Sequence, residues 1–248
     1  MNSFLEKELG ELCRGQVRRD NKDLGVDSAY LPNAILCSVP KVCLVSLEPS
    51  MGNMTRMAFE QMVDAGFRNF LKYEGDVILH YCAYKFLCDD SFDYHITDIS
   101  KGAMKVRVAE KERELRYSRW LPILQKEIEA LGNPMLIAVG TKAETALRKW
   151  GMADVPRVRH FATQLDDWFR GYYLAYSRHA VTDFVASFRD DWDRFISLII
   201  SLLPQGCSNV AALNRLRNSI SDAGVGRFLY YRDEFLNLRK QLVSKART

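Results

Sequence analysis

Between Lys41 and Glu48-Pro49 runs Val42-Cys-Leu-Val-Ser-Leu47, a short, mostly apolar and partly β-branched segment. It lacks the strict polar alternation of a strand with one wet face, so it fits a strand buried on both faces. Such a strand belongs in a parallel or mixed sheet covered by helices. Pro49 ends it, because proline has no N–H for a sheet ladder and pushes the preceding residue out of the helical region. Glu48 is therefore expected in an extended conformation at a strand exit. In open α/β sheets, ligands bind beyond the carboxyl ends of the strands. The same glutamate also reads as an ordinary solvated loop residue.

The rest of the chain repeats the alternation. Ser3-x-x-Glu6 makes a capping box for a first helix with Leu5, Leu9 and Leu12 on one face, and a polar stretch, Gly15 to Asp27, follows. After the Val42 strand come a helix carrying Met54, Met57, Ala58 and Met62, and apolar runs at Val77 to Cys82 and Tyr94 to Thr97. Trp120, Leu121, Leu124, Ile128 and Leu131 recur at helical spacing, and Pro134 to Val139 returns to the buried-strand pattern. Gly140 closes that strand and Thr141-x-x-Glu144 reads as a second capping box. A further short strand fits Val158 to Ala162, and helix rich in aromatics follows. The order predicts a three-layer α/β/α sandwich around a mainly parallel sheet of four or five strands, with a C-terminal helical extension. Pro204-Gln-Gly206 is the candidate boundary. It divides an α/β/α domain over 1–204 from a basic helical extension over 205–248, interrupted at Gly224-Val-Gly226.

With 248 residues, 48% hydrophobic and 27% charged, the chain has the composition of a globular protein with one sizeable core. A net charge of +4 permits a nucleic-acid partner without demanding one. Basic residues gather at Lys101 to Arg119 and from Arg215 onward, which reads equally as solvated helix faces. Six cysteines show no zinc-ligand spacing, and Cys37, Cys43 and Cys82 lie in or beside apolar runs, as buried thiols do. Met1 opens a charged amphipathic stretch rather than a signal peptide, and no apolar block is long enough to span a membrane. A cytoplasmic, reducing setting is expected, with neither a membrane nor an obligate protein partner.

Four strand-end segments, in order, carry a resemblance: Ser46-Leu-Glu-Pro-Ser50, Tyr94-His-Ile-Thr-Asp-Ile-Ser-Lys101, Leu136-Ile-Ala-Val-Gly-Thr-Lys-Ala143 and Arg159-His-Phe-Ala-Thr163. Over about residues 40–165 the chain resembles the uracil-DNA glycosylase superfamily. There, a Gly-x-x-Pro-type loop holds the water-activating residue, a second strand ends in a base-reading asparagine, and a late loop supplies a histidine. The stretch from Asp98 to Trp150 is nearest in pattern to the iron–sulfur branch. The departures are specific: Ser46 stands for the first glycine, Glu48 where members carry Asp, Asn or Ala, and Phe161 for the proline of the histidine loop. That branch's cluster cysteines have no counterpart at matching positions, so neither metal nor cofactor is expected.

The resemblance implies a monofunctional DNA glycosylase that flips a base into a pocket and hydrolyses its N-glycosidic bond. Glu48 would orient or deprotonate the water and stabilise an oxocarbenium-like sugar, and His160 would take up charge on the leaving base. Asp98 falls where the base-reading asparagine sits. An ionised aspartate only accepts hydrogen bonds, which repels the O4 of uracil and suits the exocyclic amine of a cytosine-type, possibly modified, pyrimidine. Read structurally instead, Asp98 caps a turn beside Lys101. Phe67 and Phe70 are candidate base-stacking residues and equally candidate core. Ser50, Lys101, Lys105, Arg107, Thr163 and Leu165 are the candidate DNA contacts, Leu165 as a wedge. His80, His95 and His179 match no motif and read as structural. Repair of uracil or damaged bases, defence against foreign DNA with modified bases, and a non-catalytic nucleic-acid-binding module all stay open. A Rossmann-type nucleotide enzyme lacks its G-x-G-x-x-G.

Overall fold

The computed structural model describes residues 7–152, 154–160, 171, 181–217 and 220–245. Helix α1 (Leu9–Leu24) and strand β1 (Ala29–Tyr30) lead into β2 (Val42–Ser46), α2 (Arg56–Asp64) and α3 (Glu74–Cys82). Then come β3 (Tyr94–Asp98), β4 (Gly102–Ala103), α4 (Val106–Ala130), β5 (Met135–Val139), α5 (Thr141–Lys149) and β6 (Arg157–Val158). Helices α6 (Val181–Leu202), α7 (Val210–Arg217) and α8 (Asp222–Lys245) follow. The central sheet has the order β3-β2-β5-β6 and is parallel throughout. All five residues of β2 are buried, as expected of a strand with helices on both faces. Among the described residues the fold is a three-layer α/β/α sandwich.

Strand alternation divides the core. Leu44, Ile96, Ile137 and Val139 face one layer, built from α3, α6 and α8. Cys43, Val45 and Ala138 face the other, where Tyr117, Leu124 and Ile128 of α4 meet Ala143 and Leu147 of α5. In the first layer Tyr81 packs against Phe188, Trp192 and Phe195 of α6 and Phe228 of α8. Aromatic pairs of this kind add about 0.5–1.5 kcal/mol each beyond area burial.

The local expectations meet different outcomes. The Ser3 capping box lies outside the described residues. The polar stretch from Gly15 is helical as far as Leu24, because Gln16, Val17 and Asp20 turn inward while the charged residues cover the outer side. Val77 to Cys82 is helix, extended by a π-helical turn at Ala83–Leu87. The Thr141 capping box does not form: Gly140 is the N-cap, at φ 92°, and no side chain caps the helix. The last strand is only Arg157–Val158, and 161–170 lie outside the described residues.

The C-terminal helices are part of the core, with Phe228, Leu229, Tyr231 and Phe235 buried beside sheet residues. Gly224-Val-Gly226 does not interrupt α8. A Cβ on Gly224 would collide with the Glu74 carboxylate, so the glycine permits close helix contact. The basic tail is largely paired, Arg239 with Asp89, Arg217 with Asp193 and Arg232 with Asp233. Cys43, Cys82, Cys13 and Cys207 are buried, whereas Cys37 is only half-buried. Among the described residues no helix is long and apolar enough to cross a membrane.

Candidate active site

The four parallel strands end along one edge, and that alignment brings the sequence-predicted residues together. Ser46 pairs in register with Asp98, and Ile99 N–H donates to the Ser46 carbonyl at 2.9 Å. Gly140 N–H donates to the carbonyl of Val158 at 2.7 Å, bringing the β5 exit against the His160 loop. Beyond this edge lies a cavity of about 400 Å³. Glu48, Ser50, Asp98, His160, Phe67 and Phe70 all line it.

Glu48 is not a solvated loop residue. Its side chain is 8% exposed and Arg113 holds Oε1 from Nη2 at 2.6 Å and Nε at 3.1 Å, while the Tyr117 hydroxyl donates to Oε2. Burial and the neighbouring carboxylate push the Tyr117 phenol up, which keeps it a proton donor. Arg113 and Tyr117 stand one turn apart on α4, so both reach the same point.

Asp98 departs from the sequence expectation. It is 1% exposed, and burial, only partly countered by Lys101, pushes its carboxyl well above the usual range. Glu48 and Glu127 push in the same direction as burial. That direction favours the neutral acid, which offers one donor and one acceptor, over the acceptor-only carboxylate. Its Oδ2 accepts from Asn69 Nδ2 at 2.6 Å. Nor does its side chain pair with Lys101, whose ammonium donates instead to the Asp98 backbone carbonyl at 2.9 Å.

Lys101 also loses its assignment to DNA. It is 2% exposed and sits 2.5 Å from Glu127 Oε2, too deep to meet a phosphate. Lys105 and Arg107 are exposed at the start of α4. The Pro49–Met51 backbone runs beside Met104, and Ser50 lines the cavity, whereas neither Lys105 nor Arg107 does. Thr163 and Leu165 lie outside the described residues, as does His179. His80 and His95 are buried, His80 bonded to Tyr94 and His95 to Glu127.

His160 Nε2 lies 3.2 Å from Ser46 Oγ, so the residue at the end of β2 meets the histidine. Burial lowers the His160 pKa against the pull of Glu48, favouring the neutral ring. Its backbone neighbour Gly140 allows the approach, since a Cβ there would stand 3.1 Å from His160 Cβ. At φ 92° that position also strains any other residue. Gly140→Ala is expected to lower stability by about 1–3 kcal/mol, read by urea unfolding, and to shift the His160 ring resonances.

Phe67 and Phe70 are 8% and 4% exposed, core residues that also line the cavity. Phe70 takes a positive φ of 62°, uncommon for an aromatic residue. Asn69, Lys72, Tyr73 and Asp76 also line the cavity and were missed in the sequence. Asp76, pushed up to about 6 by burial, accepts from the Tyr73 and Lys72 backbone N–H groups at the start of α3. Only Arg113 and Tyr117 carried a signal, through their spacing on the Trp120 helix. Among the described residues no group of His, Cys, Asp and Glu is arranged to hold a metal ion. No protein-family model, no curated protein and no solved structure matches the chain.

Proposed function

We propose that this chain is a base-excising DNA glycosylase, a divergent member of the uracil-DNA glycosylase superfamily, acting on a cytosine-type pyrimidine that is often modified. One observation carries the reading: Glu48, Asp98 and His160, from three separate strand ends, line one aromatic-walled cavity. A benzene-sized ring needs about 150 Å³, so a cavity of about 400 Å³ leaves room for a ring substituent.

The base enters the cavity after flipping, against the faces of Phe67 and Phe70. As a neutral acid, Asp98 donates to N3 of a cytosine-type base and accepts from its amine. With donor and acceptor exchanged, the same group fits N3–H and O4 of uracil. Asp98 in its neutral form therefore does not by itself reject uracil. As the C1′–N bond breaks, its electron pair leaves with the base, and neutral His160 donates a hydrogen bond to the charge that develops there. Three donor groups already occupy Glu48, which suits it to orienting the water and offering its charge to the sugar cation. Water attacks C1′, leaving an abasic site.

The test is incubation with DNA containing cytosine, uracil and 5-substituted cytosines, with abasic sites counted and released bases identified by mass spectrometry. Absence of abasic sites on every substrate would exclude the enzyme. A non-catalytic nucleic-acid-binding module is the second reading, favoured by the Arg113 and Tyr117 contacts that occupy Glu48.

Asp98 adds a pH signature. Its carboxyl is raised, so the reading form is the protonated one, and base release falls as pH climbs through its pKa. Asp98→Asn is expected to abolish that decline and to move preference toward uracil. A decline that persists in the variant assigns it to another group.

A further inference from the structure

Asn69 reaches Asp98 from outside the sheet, and a chain of hydrogen bonds decides which of its amide atoms does so. Burial opposes ionisation of Glu127, but Lys101 and His95 override it and hold its pKa at about 2. The Thr97 hydroxyl lies 3.0 Å from that carboxylate. A carboxylate only accepts, so the single hydroxyl proton of Thr97 is committed to Glu127. Thr97 Oγ1 is then an acceptor, and it takes the amide N–H of Asn33 at 2.8 Å. That turns the Asn33 oxygen toward Asn69, whose Nδ2 lies 3.4 Å from it. The same Nδ2 donates to Asp98 Oδ2 at 2.6 Å, its two protons serving the two acceptors. Thr97 and Asn33 are buried, so each step has one sense and the charge of Glu127 sets it.

The backbone around Asn69 is fixed independently. Asn69 N–H donates to the Pro32 carbonyl at 2.9 Å, and Asn33 and Asn69 form an isolated parallel bridge. Asn209, buried just before α7, accepts from Arg68 N–H at 2.6 Å and donates to the Arg68 carbonyl at 3.0 Å. Held from both sides, the amide is in place before any ligand arrives.

We propose that Asn69 is the positioning residue of Asp98: it pins Oδ2 with an N–H whose sense Glu127 imposes through Thr97 and Asn33, and so sets the pH at which Asp98 gives up its proton. A donor at Oδ2 favours the carboxylate over the acid, whereas an amide oxygen turned toward it would favour the acid. Burial raises the Asp98 carboxyl, Lys101 lowers it, and Glu48, Glu127 and Asp76 raise it. Asn69 works in the same direction as Lys101. The consequence for base release rests on the base-reading role proposed above, whereas the action on Asp98 itself does not.

Carbon-13 NMR of the carboxyl groups of the full chain, titrated with pH, reads Asp98 directly, with Asp98→Asn assigning its signal. Asn69→Leu is expected to move the Asp98 midpoint upward, because the carboxylate loses a donor. Thr97→Val leaves Asn69 in place but frees both amides to turn round, and should move the midpoint the same way. Thr97→Ser keeps the hydroxyl and should keep the wild-type value. All three variants retain Lys101, Glu48, Glu127 and Asp76. A midpoint that stays put in Asn69→Leu overturns the role of Asn69, even where urea unfolding shows lost stability. One that moves in Asn69→Leu but not in Thr97→Val overturns the control by Glu127. In the base-release assay, the decline with rising pH should shift upward in step with the NMR midpoint, and the rate below it should fall about tenfold or more. An unchanged profile beside a shifted carboxyl overturns the link to release. If no base is released at all, the titration still decides Asn69.

Discussion

Glu48→Gln is expected to slow base release by about a hundred- to ten-thousand-fold while leaving the protein folded and able to bind DNA. The substitution keeps the size of the side chain and an oxygen for Arg113, but removes the charge that faces the sugar cation. It also sets an amide N–H₂ or a single carbonyl against the Tyr117 hydroxyl, which now donates to Oε2. Single-turnover counting of abasic sites, beside a binding titration, separates the two effects. If release is unchanged, the carboxylate is only an anchor for α4. If release is absent in the wild type and binding is intact, the non-catalytic reading replaces the enzyme.

Lys101→Met should lower the free energy of unfolding by about 3–5 kcal/mol, because it strands Glu127 in the interior with its main cation removed. Lys101 and Glu127 are each 2% exposed, so solvent cannot replace the lost partner. Urea unfolding measures the loss, and the double substitution Lys101→Met with Glu127→Leu should recover part of it. The pH dependence has a definite sign. Glu127 is held at about 2 against an ordinary 4.5, so its contribution is complete above 4.5 and disappears as pH falls toward 2. Lys101 is raised above its ordinary value, so its contribution is complete below 10.5 and lost above the folded pKa. The salt dependence of DNA binding should be the same in both proteins, since a buried lysine releases no counterions from phosphate.

The strand-end placement of Glu48, Asp98 and His160 was legible because β-branched runs, a terminating proline and a glycine are local signals. Strand direction then puts every exit on one edge. Burial was less legible. Lysine is almost never fully buried unless paired, so Lys101 read as a surface cation, and its partner Glu127 sits on a helix that nothing local ties to it. The upward shift of the Asp98 carboxyl likewise depends on how many groups exclude water around it, a tertiary property. Asn69 follows no strand and occupies no periodic position, yet it contacts Asp98 directly. Gly224-Val-Gly226 misled because a glycine pair usually breaks a helix, whereas here the missing side chain makes room for Glu74.

The aromatic cluster around Tyr81 has a consequence for biosynthesis. Part of the sheet's apolar covering comes from residues translated well after the strands themselves, with Phe228 closing on Tyr81 and Phe188. Until that helix leaves the ribosome, Tyr81 and the strand face beneath it lack part of their cover. In the interval between synthesis of the strands and of α8, the nascent chain exposes apolar surface that the finished fold hides, with Glu48, Asp98 and His160 already made but not yet backed by that layer.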